Sequence, residues 1–362
     1  MLLLIIIVAL FLPVLYVLYF SVVMHWQREQ TRGDRYFSRK LADRRAYERR
    51  LHLHAALLMP PLNWLRPGRR TRRFPFFRYK EVACVNGLAS AESFAAAEHY
   101  SASNKDIFVA AQMKCGTTWM QQIVFEILHH GAGDLTDNGY RHMYALSPWI
   151  ETSPRASVAL EKAPLVSRYR KRLIKTHLPT QLCPYSPDAK YIYVARHPVS
   201  CFASCKDFIA MLGGPFCPTE KNLVDWFCSN DMWWSPWPAH VAGWWGKSRQ
   251  VDNILFVTFE QMKDDLDGVV QQVANFLGIT LSETERTEVV RKSSFAYMSE
   301  HEEQFAMSPP SIFSVSNELR FMQTGKKQRD SSLDEATKQH IMAYCREQMK
   351  NQEFPFNTYY PV

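Results

Sequence analysis

Residues 107–128, IFVAAQMKCGTTWMQQIVFEIL, leave few folds open to this chain. Ile107–Met113 reads as a buried strand, Gly116 marks a tight turn, and a helix is predicted over Thr117–His130 with Met120, Ile123, Val124, Ile127 and Leu128 on one face. Similar β-branched runs at Arg172–His177, Lys190–Arg196 and Asn253–Phe259 alternate with helical patterns at Val199–Leu212, Gln261–Leu277 and Asp334–Lys350. That alternation predicts an α/β domain built on a parallel sheet. Capping-box patterns at Ser282–Glu285 and Ser332–Glu335 mark two further helix starts.

Polar residues gather where these strands end, the edge at which open parallel sheets bind ligands. In Lys114-Cys115-Gly116-Thr117-Thr118-Trp119 a helix begins on two hydroxyls directly after a glycine. The unpaired N–H groups and positive dipole of such a helix start attract an anion, and Lys114 adds a full charge. Lysine precedes the glycine, and the upstream glycine of a nucleotide-triphosphate loop is missing, so the loop suits a phosphate without the Mg²⁺ apparatus. A generic anion-binding turn would need the same residues. Lys175 and His177 form an i, i+2 pair at the end of the second run and share one side of a strand. A histidine there suits a general base and the lysine suits charge gathering on a transferred group, although a lone histidine serves structure equally well. Arg196 ends the third run, with Pro198 placed for a first helical position and Ser204 two turns along.

Together these segments resemble the cytosolic-type sulfotransferase family, which uses 3'-phosphoadenosine 5'-phosphosulfate (PAPS). The resemblance extends from about residue 107 to residue 325. Lys-x-Gly-Thr-Thr-Trp is similar to the family's 5'-phosphosulfate loop, Lys-Thr-His-Leu-Pro to its catalytic histidine motif, and Arg196 with Ser204 to its 3'-phosphate motif. The resemblance implies a P-loop-like three-layer fold, a central parallel sheet flanked by helices. His177, Lys114 and Lys175 would be catalytic. Lys114, Cys115, Gly116, Thr117, Thr118, Trp119, Arg196 and Ser204 would bind the donor, with Phe259, Ser293 and Phe295 near adenine, which Trp119 and Phe295 would sandwich. Gln323, Thr324 and Gly325 fall where the family closes over the donor's 3'-phosphate, but two departures stand out: the family's Arg-Lys-Gly reads Gln-Thr-Gly there, and its adenine-contacting tyrosine is Phe259. They keep open a non-catalytic reading. The family's dimerisation motif is not evident, so the oligomeric state stays open.

Residues 1–24 contain no charged side chain and as a helix would reach about 36 Å, against about 30 Å of hydrocarbon. They predict a transmembrane helix, and the apolar run is too long for a signal peptide. Residues 25–80 hold 16 of the 43 Lys and Arg but 4 of the 35 Asp and Glu, a net +12, which leaves −4 for the rest. A basic stretch beside an apolar one points to lipid headgroups rather than nucleic acid. By the positive-inside rule the rest is cytoplasmic, and a Golgi membrane with a luminal catalytic domain is the alternative. The expected organisation is an anchor over 1–24, a basic juxtamembrane helix passing at Pro60, Pro61, Pro67 and Pro75 into an irregular linker over 25–80, and a sulfotransferase domain over 81–362.

Eight cysteines show no zinc-type spacing, so no metal is expected; Cys201 and Cys205 are expected as buried free thiols on one helix face. The partners expected are the bilayer and a small or lipophilic hydroxyl or amine acceptor. A Golgi carbohydrate or protein acceptor is the alternative. The aromatic stretch Trp226, Phe227, Trp233, Trp234 and Trp237 is core or acceptor pocket.

Overall fold

Four β-branched runs become one parallel sheet. Its strands are β3 (Asp106–Ala111), β4 (Arg172–Thr176), β5 (Lys190–Ala195) and β6 (Ile254–Thr258), in the order β4-β3-β5-β6. Every residue of β3 is buried, as is nearly every residue of β4 and β5, which is why these strands read as continuous apolar runs. The structure, a computed structural model, describes residues 2–70, 76–136, 139–152, 156–306, 308–315 and 332–361; the side chains of 2–10, 33 and 34 lie outside that description.

Along the chain, α1 (Leu2–Gln30), α2 (Gly33–Phe37) and α3 (Leu41–Leu65) precede a hairpin of β1 (Phe76–Tyr79) and β2 (Val82–Val85), and α4 (Ala91–Glu98) leads to β3. Between β3 and β4 lie α5 (Thr117–Leu128) and α6 (Met143–Leu146); between β5 and β6 lie α7 (Pro198–Gly213), α8 (Glu220–Phe227) and α9 (Trp237–Ser248). After β6 come α10 (Phe259–Asp264), α11 (Leu266–Leu277), α12 (Glu283–Lys292), α13 (Phe295–Glu300), α14 (Ile312–Val315), α15 (Glu335–Met349) and α16 (Phe356–Tyr359). The chain moves outward from β3 to β4 but in the opposite direction from β5 to β6. Right-handed crossovers therefore put α5 on one face and α7 to α9 on the other, giving three layers. The order reverses between β3 and β5, and the crevice at their C-terminal ends is where such a sheet binds ligands.

Several expectations change on folding. The helix predicted over Gln261–Leu277 is two helices, because Asp265 leaves helical geometry and its carboxylate caps α11 at Gly268 N–H. The box at Ser282–Glu285 forms, but the cap of α15 is Asp334 rather than Ser332; its carboxylate accepts from Thr337 N–H at 2.7 Å. The β1–β2 hairpin, turned by Lys80 and Glu81 at positive φ, has no turn glycine to announce it.

The irregular chain expected from Pro60 is also corrected. α3 runs through Pro60 and Pro61 to Leu65, held by Leu51, Ala55, Leu58 and Met59, which are buried beneath it. Arg44 donates to the carbonyls of Glu303 and Arg141, and Tyr47 Oη donates to Pro310 O at 3.0 Å, so α3 is fastened to the body of the fold. Among the described residues no helix is long and apolar enough to cross a membrane, and the fold does not support the span expected over residues 1–24. Many of the side chains that expectation rests on, those of 2–10, lie outside the described residues.

Candidate active site

The turn after β3 is pinned before any ligand arrives. Gln112 donates through Nε2 to the carbonyls of Trp233 and Ser235 and accepts from Met113 N–H. Lys114 and Gly116 adopt positive φ, 64° and 106°. At Gly116 a Cβ would stand 2.8 Å from Phe259 Cδ2, so glycine is needed for both conformation and approach. Beneath the turn Cys115 and Cys201 sulfurs lie 3.6 Å apart, and Cys201 and Cys205 both face Met113 O, buried free thiols as expected. Thr117 and Thr118 open α5 and are both buried; Thr118 Oγ1 lies 3.1 Å from Tyr144 Oη. Lys114 Nζ sits 4.5 Å over the Phe208 ring.

At the end of β4, His177 is buried. Its Nδ1 lies 2.6 Å from Ala111 O, which fixes the tautomer: Nδ1–H donates, and Nε2 keeps its lone pair with no partner among the described residues. Burial drives the imidazole pKa well below its ordinary value, with Lys175 adding to the shift, so the ring is a neutral base near pH 7. Trp149 and Trp234 wall the ring at 5.0 and 5.2 Å, so part of the tryptophan-rich stretch is core and site wall at once. Lys175, fully buried, donates to Tyr144 Oη at 2.9 Å and lies 3.7 Å above the Trp149 ring. Burial holds its pKa well below the usual lysine range, opposed by Glu151 and reinforced by Lys114.

Glu151, Tyr144, Trp149 and His240 escaped the sequence reading. Glu151 is wholly buried and accepts from Trp149 Nε1 at 2.6 Å, His177 N at 2.8 Å and Thr176 Oγ1 at 3.0 Å. Burial raises its pKa while these donors oppose the shift. His240 bonds the other side of the same turn, with Nε2 2.9 Å from His177 O and Nδ1 2.8 Å from Tyr193 Oη. The available signal was a buried-looking Ser-Pro-Trp-Ile-Glu that belongs to no predicted element.

On the other side of the crevice Arg196 donates to Lys114 O at 2.9 Å and stacks 4.2 Å over Phe259, tying the ends of β3, β5 and β6 together. Ser204 is buried on α7. Trp119 meets Phe259 edge-on at 5.4 Å and donates to Ser293 O at 2.7 Å. Phe295 opens α13 and is 40% exposed. Trp119 is thus in ring contact with Phe259, and the part-exposed Phe295 lies two residues beyond Ser293, whose carbonyl the Trp119 indole reaches. Gln323, Thr324 and Gly325 lie outside the described residues. Among the described residues no cluster of His, Cys, Asp or Glu is placed to hold a metal ion.

A sulfotransferase domain model matches residues 104–353. Sulfotransferase 2B1 of Homo sapiens is 32% identical over 243 residues, 66% of this chain and 64% of that protein. Its Mus musculus counterpart is 33% identical over 228 residues, 62% and 65% of the two chains. The chain therefore spans just under two thirds of the length of these relatives. Among solved structures, mouse sulfotransferase SULT7A1 complexed with PAP has a TM-score of 0.58 at 21% identity, covering 76% of this chain and 94% of that one. Retinol dehydratase in complex with retinol and PAP has a TM-score of 0.60 at 20% identity, covering 81% and 96%. These two likenesses carry the fold. Since the match to the domain spans well over half of its residues, this chain belongs to the sulfotransferase domain family.

Proposed function

We propose that this protein transfers a sulfuryl group from PAPS to a hydroxyl or amine of a small, lipophilic acceptor, at a membrane to which its apolar N-terminal helix attaches it. The observation that carries the chemistry is His177 Nε2, a buried lone pair without a partner among the described residues, at the sheet edge that also holds Lys175 and Lys114. The relatives' PAP complexes support the choice of donor. Retinol bound to retinol dehydratase supports a lipophilic acceptor.

His177 Nε2 takes the acceptor's proton as the new bond to sulfur forms and the bond from sulfur to the phosphate oxygen breaks. Lys175 offsets charge on the transferring sulfonate, and Lys114 offsets charge on the leaving oxygens. Thr117, Thr118 and the backbone of 114–118 hold the 5'-phosphate; Arg196 and Ser204 hold the 3'-phosphate. Trp119, Phe259 and Phe295 supply aromatic surface for adenine, with Ser293 beside it.

The first test is calorimetric titration of adenosine 3',5'-bisphosphate into the full chain and into Lys114→Ala and Arg196→Ala. Binding that weakens at least tenfold in both variants upholds the donor site. Absence of binding to the folded wild type instead favours a non-catalytic member. The catalytic domain is placed on the cytoplasmic side because that leaflet carries the acidic headgroups a basic flank attracts. An Asn-x-Ser acceptor introduced near the C terminus should stay unglycosylated in microsomes, and its modification would reverse the assignment to the lumen.

A further inference from the structure

α1 is not a stalk. It runs antiparallel beside α3: Tyr16 Oη donates to Leu58 O at 2.6 Å, Tyr19 Oη meets His54 Nδ1 at 2.7 Å, and Trp26 packs on Tyr47 at 5.3 Å. Both helices lie against the body. Phe20 reaches Phe313 of α14, Ile312 N–H donates to Gln27 Oε1, and beyond the end of α3 Gly68 is packed so tightly on Phe216 and Cys217 that a Cβ would strike their backbone. The outer face of this layer is apolar. Leu15, Leu18 and Val22 of α1 and Leu53, Leu57 and Trp64 of α3 are all more than half exposed, with Trp64 at 84%. Leu53, Leu57 and Trp64 follow each other at helical spacing, and the exposed Tyr19–His54 contact is the seam that joins the two helices' faces into one.

We infer that α1 and the C-terminal half of α3 form a single two-helix surface that seats in one leaflet of an anionic bilayer, so that α3 is a second lipid-contacting element. This rests on the membrane reading above. Water-soluble monomers rarely expose so large a contiguous apolar face. Its charge pattern identifies the occupant. Exposed Arg45, Arg49 and Arg50 lie toward one end of the α3 stripe, and Arg66, Arg69 and Arg70 lie at the other. Arginines flanking an apolar helical face are the arrangement of an in-plane helix on acidic headgroups. A second copy of the chain would bring the same arginines against each other. Because α14 and the Gly214–Phe216 turn support the hairpin, seating it brings that edge of the catalytic body, with its part-exposed Phe216, close to lipid.

The test uses the full chain carrying Cys217→Ser and Cys228→Ser, with single cysteines at Leu15→Cys, Leu57→Cys, Trp64→Cys or Glu335→Cys labelled with an environment-sensitive fluorophore. Each is mixed with phosphatidylcholine vesicles with or without 30% phosphatidylserine. Labels at 15, 57 and 64 should shift to the blue, be quenched by doxyl lipid and respond at least tenfold more strongly to the anionic vesicles. The label at 335 should not respond. A response at 15 without one at 57 and 64 overturns the two-helix surface and leaves the anchor standing; no response at any position overturns both. Blue shifts at 57 that grow with protein concentration and escape lipid quenching would mean that a second copy covers the face, which also overturns the proposal. In flotation, Leu53→Glu with Leu57→Glu should cut vesicle-bound protein at least tenfold, and undiminished binding counts against α3.

Discussion

His177 shows how much one tautomer decides. With Nδ1–H committed to Ala111 O, Nε2 is the only nitrogen left to accept a proton, and burial has removed most of its tendency to be charged. His177→Ala should therefore lower turnover about 10² to 10⁴-fold while leaving affinity for adenosine 3',5'-bisphosphate within about twofold. Because its pKa lies below the ordinary histidine value, kcat should stay level as pH falls from 8 past 6.5 and decline only below that. A limb centred near 6.5 would show that the ring titrates as in water. Glu151 acts through this residue: Glu151→Gln replaces one acceptor oxygen with a donor facing donors, and should reduce kcat more than KM. Lys175 makes a separate prediction. Burial holds its pKa below the usual lysine range, and a sulfonate beside Nζ pulls it back up. Binding of PAPS should take up protons, seen as a dependence of calorimetric heat on buffer ionisation enthalpy. Adenosine 3',5'-bisphosphate, which lacks the sulfonate, and the Lys175→Met variant should both lose the effect.

Between elements, the contact that matters most is the turn after β3 against the start of α10. Gly116 faces Phe259, and Phe259 in turn supports the Arg196 guanidinium. An alanine at 116 meets both a strained backbone, costing about 1–2 kcal/mol, and a ring that moves only by disturbing Arg196. Gly116→Ala should lower both melting temperature and nucleotide affinity, the latter at least tenfold. Gly87 is the control: it has φ of 90°, yet a Cβ there would meet nothing within 4 Å. Gly87→Ala should cost stability while sparing affinity, and equal loss of affinity in the two would refute the role given to Phe259.

For the whole molecule, buried carboxyls away from the site set part of the pH dependence of folding. Glu126, packed against Gly133 and Gln122, has its pKa raised to about 7 by burial. A carboxyl whose folded pKa exceeds its unfolded value favours the folded state at low pH, and that contribution is lost as pH rises through about 7. Relative to Glu126→Gln, the wild type should lose melting temperature between pH 4.5 and 7 and run parallel above pH 7.5. Parallel curves throughout would mean that Glu126 titrates alike in both states.

The sequence by itself determined the four parallel strands, the helices that follow β3 and β5, and the residues at the strand ends. Strand periodicity, one glycine and a proline at a helix start are local properties of neighbouring residues. For that reason Lys114, Lys175, His177 and Arg196 are legible as residues at or just beyond the strand ends. What belongs to contacts between distant segments was settled only by the tertiary structure. The carboxylate of Glu151 reaches His177 N across 26 positions, and the lone pair of His177 is set by a carbonyl 66 positions away. The edge-on contact of Phe259 with Trp119 belongs to the same class. The prolines of α3 predict a break, because local propensity cannot register the buried Leu51, Leu58 and Met59 that hold the helix to its support. Whether an apolar helix stands free or lies down is likewise decided by what the rest of the chain offers it to pack against.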